Sequence, residues 1–302
     1  MTKRSFTNRA IAFLKAAYWR RSQQRFFSQG TTQIQCGNFS IDVPKNHLLA
    51  HLLSKQPMRD QCIGRVAAQI SKKYPESTFL DIGANVGDTA AIMATYASNR
   101  LILVEPSAYF LTFLTRNVAK FPNETLLVNA FVADGAPIAG ELHHWAGTAA
   151  LSGATQHART IPTQPISQIA TESTRFIKID TDGFDFKIIA ASIDWLQISH
   201  PALLFEDQIR NQTDLQSANQ TFVSLEKIGY TFFIVWDDPG LHIVSTTSLA
   251  TIQDLNGYLF QLWSHDTRRA IHNYDVLCLH NADADVFDAI NAQCRAHVTL
   301  QS

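Results

Sequence analysis

TFLDIGANVGD, Thr78 to Asp88, is an apolar run that ends in an acid and breaks into spaced glycines, the pattern of a strand entering a ligand-binding turn. Thr78, Phe79, Leu80 and Ile82 carry the strand propensity. Gly83 and Gly87 permit backbone angles and a close ligand approach that a Cβ would hinder. Thr89 to Ala97 (TAAIMATYA) is expected to be a helix, rich in Ala and led by Asp88 and Thr89. Strand, glycine turn and helix open a nucleotide-type α/β half-domain, in which ligands sit beyond the carboxyl ends of the strands.

The spacing of Gly83, Asn85 and Gly87 departs from the dinucleotide G-x-G-x-x-G, and Asp81 precedes the first glycine. That acid repels a pyrophosphate but favours a ligand carrying an ammonium and a sulfonium. A second strand, Leu101 to Val104, runs into Glu105-Pro106. Glu105 thus follows Gly83 by about the ~20-residue interval at which such folds grip ribose hydroxyls.

Asp81 to Gly87 (D-x-G-A-N-x-G), Val104-Glu-Pro106 and Ile177-Lys-Ile-Asp180-Thr-Asp182-Gly183 together resemble the FkbM family of S-adenosylmethionine-dependent methyltransferases, over roughly Gln33 to His280. The resemblance implies a Rossmann-like class I methyltransferase fold: a seven-stranded, mostly parallel sheet with one antiparallel edge strand and helices on both faces. It also implies S-adenosyl-L-methionine as cofactor and O-methylation of a hydroxyl on a saccharide or secondary metabolite. Asp81, Gly83, Ala84, Asn85 and Gly87 are then expected at the methionyl end, Glu105 at the ribose and Phe131 against the adenine. Where the family usually carries Asp, any residue, Glu, Gly, a small residue and Glu, this chain ends the motif with Asp182, Gly183, Phe184 and Asp185. Shorter acids and a bulky Phe184 are expected either to reshape the acceptor pocket or to mark a chain that has drifted from catalysis.

With 302 residues, 46% hydrophobic and 17% charged, the chain can bury one large core with appendages. It holds no run of ~18 uncharged apolar residues, so no spanning helix is expected. Cys36, Cys62, Cys278 and Cys294 show neither metal-type nor redox spacing; buried small hydrophobes in a reducing compartment are expected. Seven of the 25 basic residues, and none of the 26 acidic ones, precede Asp42. A basic arm, residues 1–30, therefore leads an acidic body. Ala10, Phe13, Leu14, Ala17 and Tyr18 recur at helical spacing within it, as in a helix lying on an anionic surface or packed on the core with its cations solvated. The expected location is the cytoplasm, with residues 1–28 reaching the inner face of a membrane; no nucleic-acid partner is expected.

Residues 31–75 are expected to cap the fold as a hairpin around Gly37-Asn38 followed by helices over His47 to Leu53 and Arg59 to Lys73. By the resemblance, residues 76–302 are expected to form the methyltransferase domain, with an insertion at 241–274. Thr125 to Val132 is a third strand, and Glu141 to Ser152 a substrate loop in which His143 could take a proton from an acceptor hydroxyl. Arg175 to Asp180 and Ala202 to Glu206 are neighbouring strands ending in acids, so Asp180 and Glu206 share one crevice with Asp81 and Glu105. In the plainer alternative one or two of these acids cap helices or pair with Lys178 and Arg210. Asp180 is the first candidate for base or acceptor orienter, with Asp182 and His143 behind it. A variant adds Mg²⁺ on Asp180, Glu206 and Asp207. The rival class is a catalytically silent binding module attached to a membrane-associated biosynthetic complex. A nicotinamide oxidoreductase is disfavoured by Asp81 and the missing third glycine.

Overall fold

The computed structural model describes residues 30–145, 147–152, 159–265 and 271–299. The basic arm, Gly30 apart, lies outside them. The chain opens with an antiparallel hairpin, β1 (Thr31–Cys36) and β2 (Phe39–Pro44), turning at Gly37-Asn38, and the helices Leu49–Lys55 and Gln61–Lys73 follow. β3 (Thr78–Ile82), β4 (Arg100–Val104) and β5 (Thr125–Val128) come next, joined by the helices Asp88–Tyr96 and Ala108–Val118. Smaller strands intervene: β6 (Phe131–Val132), β7 (Ile138–Trp145), β8 (Thr148–Ser152), β9 (Arg159–Ile161) and β10 (Thr163–Gln164). The second half supplies β11 (Thr174–Ile179), β12 (Ala202–Asp207), β13 (Tyr230–Asp237), β14 (His242–Thr246) and β15 (Tyr274–His280).

Eight strands form one sheet in the order β14-β13-β15-β12-β11-β3-β4-β5. β5, β4, β3, β11 and β12 run parallel, and β15 is antiparallel to both β12 and β13. This is the class I methyltransferase arrangement. It differs from the expectation in two details: the antiparallel strand lies inside the sheet, and β14, drawn from the expected insertion, adds an eighth strand at the edge. The rest of that insertion, helix Leu249–His265, buries Ile252 and Leu259 in the core, so its apolar face packs on the domain.

Residues alternate across a strand, which sorts the sheet into two apolar layers. Phe79, Leu101, Leu103, Phe176 and Leu204 face the helices Gln61–Lys73, Asp88–Tyr96 and Ala108–Val118. Leu80, Ile82, Ile102, Ile177 and Phe205 face the opposite layer, with helix Gln212–Lys227. Ile41 and Val43 of the hairpin join the first layer, and all four cysteines are buried thiols.

Three local expectations are corrected. Thr125 to Val132 is broken into β5 and β6, the latter leaving the sheet to pair with β10. Glu141 to Ser152 is an antiparallel hairpin, β7–β8, rather than a loop, and the alternation puts His143 and His144 on opposite faces of it. His47 precedes the first helix, which starts at Leu49, so His47 and His51 do not share a helix surface.

Candidate active site

Strand parity places the charges. Lys178 on β11 is in register with Asp81 on β3, and both lie on the face of Phe79 and Phe176, where an apolar layer would otherwise continue. Lys178 Nζ stands 3.2 Å from Asp81 Oδ1 and 3.5 Å from Asp180 Oδ2, and Thr89 Oγ1 donates to Asp81 Oδ2. Burial pulls the Lys178 ammonium down, but Asp81, Asp180 and Asp88 outweigh it and hold the pKa above its ordinary value. Lys178 is therefore a fixed cation beneath the strand ends, and Asp180, 52% exposed, is the carboxylate it presents to solvent.

The glycine turn is built against this pair. Gly83 has φ +84, and a Cβ there would run into the carbonyl oxygen of Asp180. Gly83→Ala is thus expected to lower stability by about 2 kcal/mol or more, readable in chemical denaturation, because the β3 and β11 ends must separate. Asn85, at φ +48, donates its backbone N–H to Glu105 Oε2 at 2.9 Å, and Ser107 N donates to Glu105 Oε1 at 2.7 Å. Burial raises Glu105 to about 7 against those two N–H donors.

Two cavities meet at this turn. One, about 50 Å³, is lined by Gly83, Val104, Glu105, Pro106 and Phe131 among others; the second, about 230 Å³, is lined by His47, Arg59, Asp60, Asp88, Lys178 and Glu206 among others. Gly83, Asn85, Thr148, Asp180 and Asp182 line both. The tip of the β7–β8 hairpin lies between them: Asn85 Nδ2 donates to Gly147 O at 2.7 Å, and Thr148 Oγ1 donates to Asp182 Oδ2. His47 Nε2 lies 3.4 Å from Asn85 Oδ1, and burial lowers its pKa, keeping the ring neutral. In the larger cavity burial raises Asp60 and Asp88 to about 6, and burial with the nearby Asp180 raises Asp182 and Glu206.

Of the residues singled out in the sequence, Gly83, Asn85, Glu105, Phe131, Asp180 and Asp182 come together around these cavities. Four do not. Asp81 is fully buried and held by Lys178 and Thr89, so it supports the turn from behind rather than facing an ammonium. Ala84 is buried behind the turn, and at Gly87 a Cβ would crowd Leu114 Cδ1 at 2.8 Å, a packing role. His143 lies 3.8 Å from Glu141 Oε2; its neighbour His144 faces inward, 2.6 Å from Ser107 Oγ. The Mg²⁺ set also fails, because Glu206 and Asp207 are consecutive on β12 and point to opposite faces. Asp207 is fully buried and burial raises its carboxyl to about 8, and among the described residues no three His, Cys, Asp or Glu side chains form a metal-holding group. Phe184 packs edge-on against Phe131, with ring centroids 5.5 Å apart, and lines neither cavity. His47, Thr148 and Lys178 are the neighbours that sequence reasoning passed over or left as simple ion pairing.

The sequence profile of the Methyltransferase FkbM domain matches residues 81–232. No curated protein matches the chain in sequence. Among solved structures, the FkbM methyltransferase of Methylobacillus flagellatus KT aligns at 13% identity over 67% of this chain and 43% of its own length, with a TM-score of 0.36. The precorrin-6y C5,15-methyltransferase of Geobacter metallireducens GS-15 aligns at 15% identity over 76% and 86% of the two chains, TM-score 0.35. Pyrococcus horikoshii TYW2 in complex with MeSAdo aligns at 11% identity over 83% and 70%, TM-score 0.43. No helix among the described residues is long and apolar enough to cross a membrane.

Proposed function

This chain belongs to the FkbM methyltransferase family, and we propose that it methylates a hydroxyl oxygen of a saccharide or other small acceptor, using S-adenosylmethionine. The observation that carries this reading is the position of Asp180, which lines both cavities and is backed by Lys178. The smaller cavity suits the donor in chemistry. Each Glu105 oxygen holds one backbone N–H and keeps lone pairs for ribose hydroxyls, while Val104, Pro106 and Phe131 offer an apolar wall to a base. S-adenosylmethionine, when bound, supplies a methyl already activated by its positive sulfur. The protein then has to align the acceptor and remove one proton. Asp180 accepts the hydroxyl hydrogen and takes the proton as the oxygen becomes an ether. Lys178 keeps the carboxylate in place, and Asp182 holds the hairpin tip down through Thr148 until the donor enters. Transfer of labelled methyl to a panel of glycans tests the reading, with product expected only in the presence of both donor and acceptor.

One observation favours the silent-module reading. The cavity beside Glu105 is about 50 Å³, well under the roughly 300–1,000 Å³ of ordinary ligand pockets. In the methyltransferase reading the tip at Gly147 and Thr148 lifts from Asn85 and Asp182 to admit the donor; in the silent module it stays down.

Glu105 makes two opposite pH dependences. The folded protein keeps this carboxyl protonated up to about 7, whereas the unfolded chain releases the proton in the ordinary carboxyl range. Stability from this residue is therefore full at low pH and is lost as pH rises through about 7. Ribose binding needs the ionised form and rises over the same window. Glu105→Gln is expected to flatten both curves, measured as melting temperature and donor affinity against pH. The arm, residues 1–28, is proposed to hold the enzyme on anionic lipid: its deletion is expected to reduce sedimentation with anionic vesicles at low salt, and equal sedimentation of both forms refutes it.

A further inference from the structure

Next to the larger cavity, across Asp182 and Glu206, lies a third hollow of about 100 Å³ lined by Asp185, Gln208, Lys187, Arg210 and Asp214 as well. Two of its lining residues each carry a buried oxygen without a hydrogen-bond donor among the described residues. Asp185 is 1% exposed, and although Oδ2 accepts from Thr181 Oγ1 at 2.8 Å, its Oδ1 has no hydrogen-bond partner among the described residues. The buried Oε1 of Gln208 has none either. A buried acceptor left without a donor is costly, more so for a charge, so two on residues that line one hollow mark a place for N–H or O–H groups from outside.

The charge decides which. Four carboxylates, Asp182, Asp185, Glu206 and Asp214, face two cations at this hollow. Lys187 Nζ lies over the Phe184 ring at 5.0 Å, and the exposed Arg210 acts on Asp182 but not on Asp185. Asp214 is engaged at the mouth by Arg210 N and Asn211 Nδ2. Asp185 and Glu206 are the acids without cation relief, each pushed above its ordinary pKa by burial first and by Asp180 second.

We propose that this hollow is an acceptor subsite for a primary ammonium group, so that the acceptor is an aminated hydroxy compound, its ammonium between Asp185, Gln208 and Glu206 and its reacting hydroxyl at Asp180. The proposal rests on the methyltransferase reading for the hydroxyl, but the ammonium site stands on its own geometry. An ammonium has three N–H donors, enough for Asp185 Oδ1, Gln208 Oε1 and one Glu206 oxygen. The hollow, about 100 Å³, has room for an ammonium with its neighbouring carbon.

The test is calorimetric titration of the full chain, with and without saturating S-adenosylhomocysteine, using D-glucosamine, N-acetyl-D-glucosamine and D-glucose at a pH where the free amine is protonated. Glucosamine is expected to bind at least tenfold more tightly than the other two, and Asp185→Asn and Gln208→Leu each to weaken it about tenfold. S-adenosylhomocysteine affinity, which reports the fold and the donor site, is expected to be unchanged in both variants. Equal or absent binding of the three sugars, or indifference of glucosamine to both substitutions, overturns the ammonium site and leaves the methyltransferase reading intact. Selective glucosamine binding by a protein that ignores S-adenosylhomocysteine supports the site and removes the donor.

Discussion

Asp180→Asn is expected to cut methyl transfer by about 10²–10⁴-fold, the usual contribution of a positioned general base, while S-adenosylhomocysteine still binds. The amide keeps the size of the side chain and one acceptor oxygen but cannot take a proton at neutral pH. The cofactor-side contacts proposed here, Glu105 with its two backbone N–H groups and the Phe131 wall, do not pass through the Asp180 side chain. Turnover should therefore collapse at all acceptor concentrations, a loss in kcat rather than in KM. A variant that turned over normally would move the base elsewhere, with neutral His47 across the Asn85 contact the next group to examine.

Lys178→Met is expected to destabilise the fold by about 3–5 kcal/mol, the cost of stranding one member of a buried ion pair. Lys178 is 5% exposed and Asp81 fully buried, side by side in register in an apolar layer. Removing the ammonium leaves Asp81 with Thr89 as its remaining side-chain donor. The double substitution Lys178→Met with Asp81→Leu should recover much of the loss, because an apolar pair of similar volume is tolerated where a lone charge is not. Denaturant midpoints of the two single variants and the double give the coupling directly. Strict additivity would mean that the pair does not hold the strands together.

The second variant also separates what the chain displays locally from what only the fold creates. Thr78 to Asp88 declares strand, turn and helix through propensity and glycine placement within eleven consecutive residues, and Glu105 follows at a spacing set by one crossover. Such signals are short-range. The partnership of Asp81 with Lys178 spans nearly a hundred residues, and it depends on β11 aligning beside β3 in a register that no local pattern specifies. The same reason hid His47, which reaches Asn85 only because the β1–β2 hairpin and its following turn fold against the first layer. The Mg²⁺ set was refutable from sequence: Glu206 and Asp207 are adjacent in a strand and cannot share a face. His143 and His144 offer the same parity choice, but Glu141 to Ser152 carries no clear strand signal, and in a loop parity has no meaning.

Titration calorimetry with S-adenosylhomocysteine and with NAD, on the wild-type chain and on Glu105→Ala, decides whether this cleft holds a methyl donor. Saturable binding of S-adenosylhomocysteine alone is expected, weakened at least tenfold by the substitution, which corresponds to about 1.4 kcal/mol. Binding of NAD, or no binding of S-adenosylhomocysteine to the wild-type protein, would contradict it and leave a methyltransferase fold without a methyl donor.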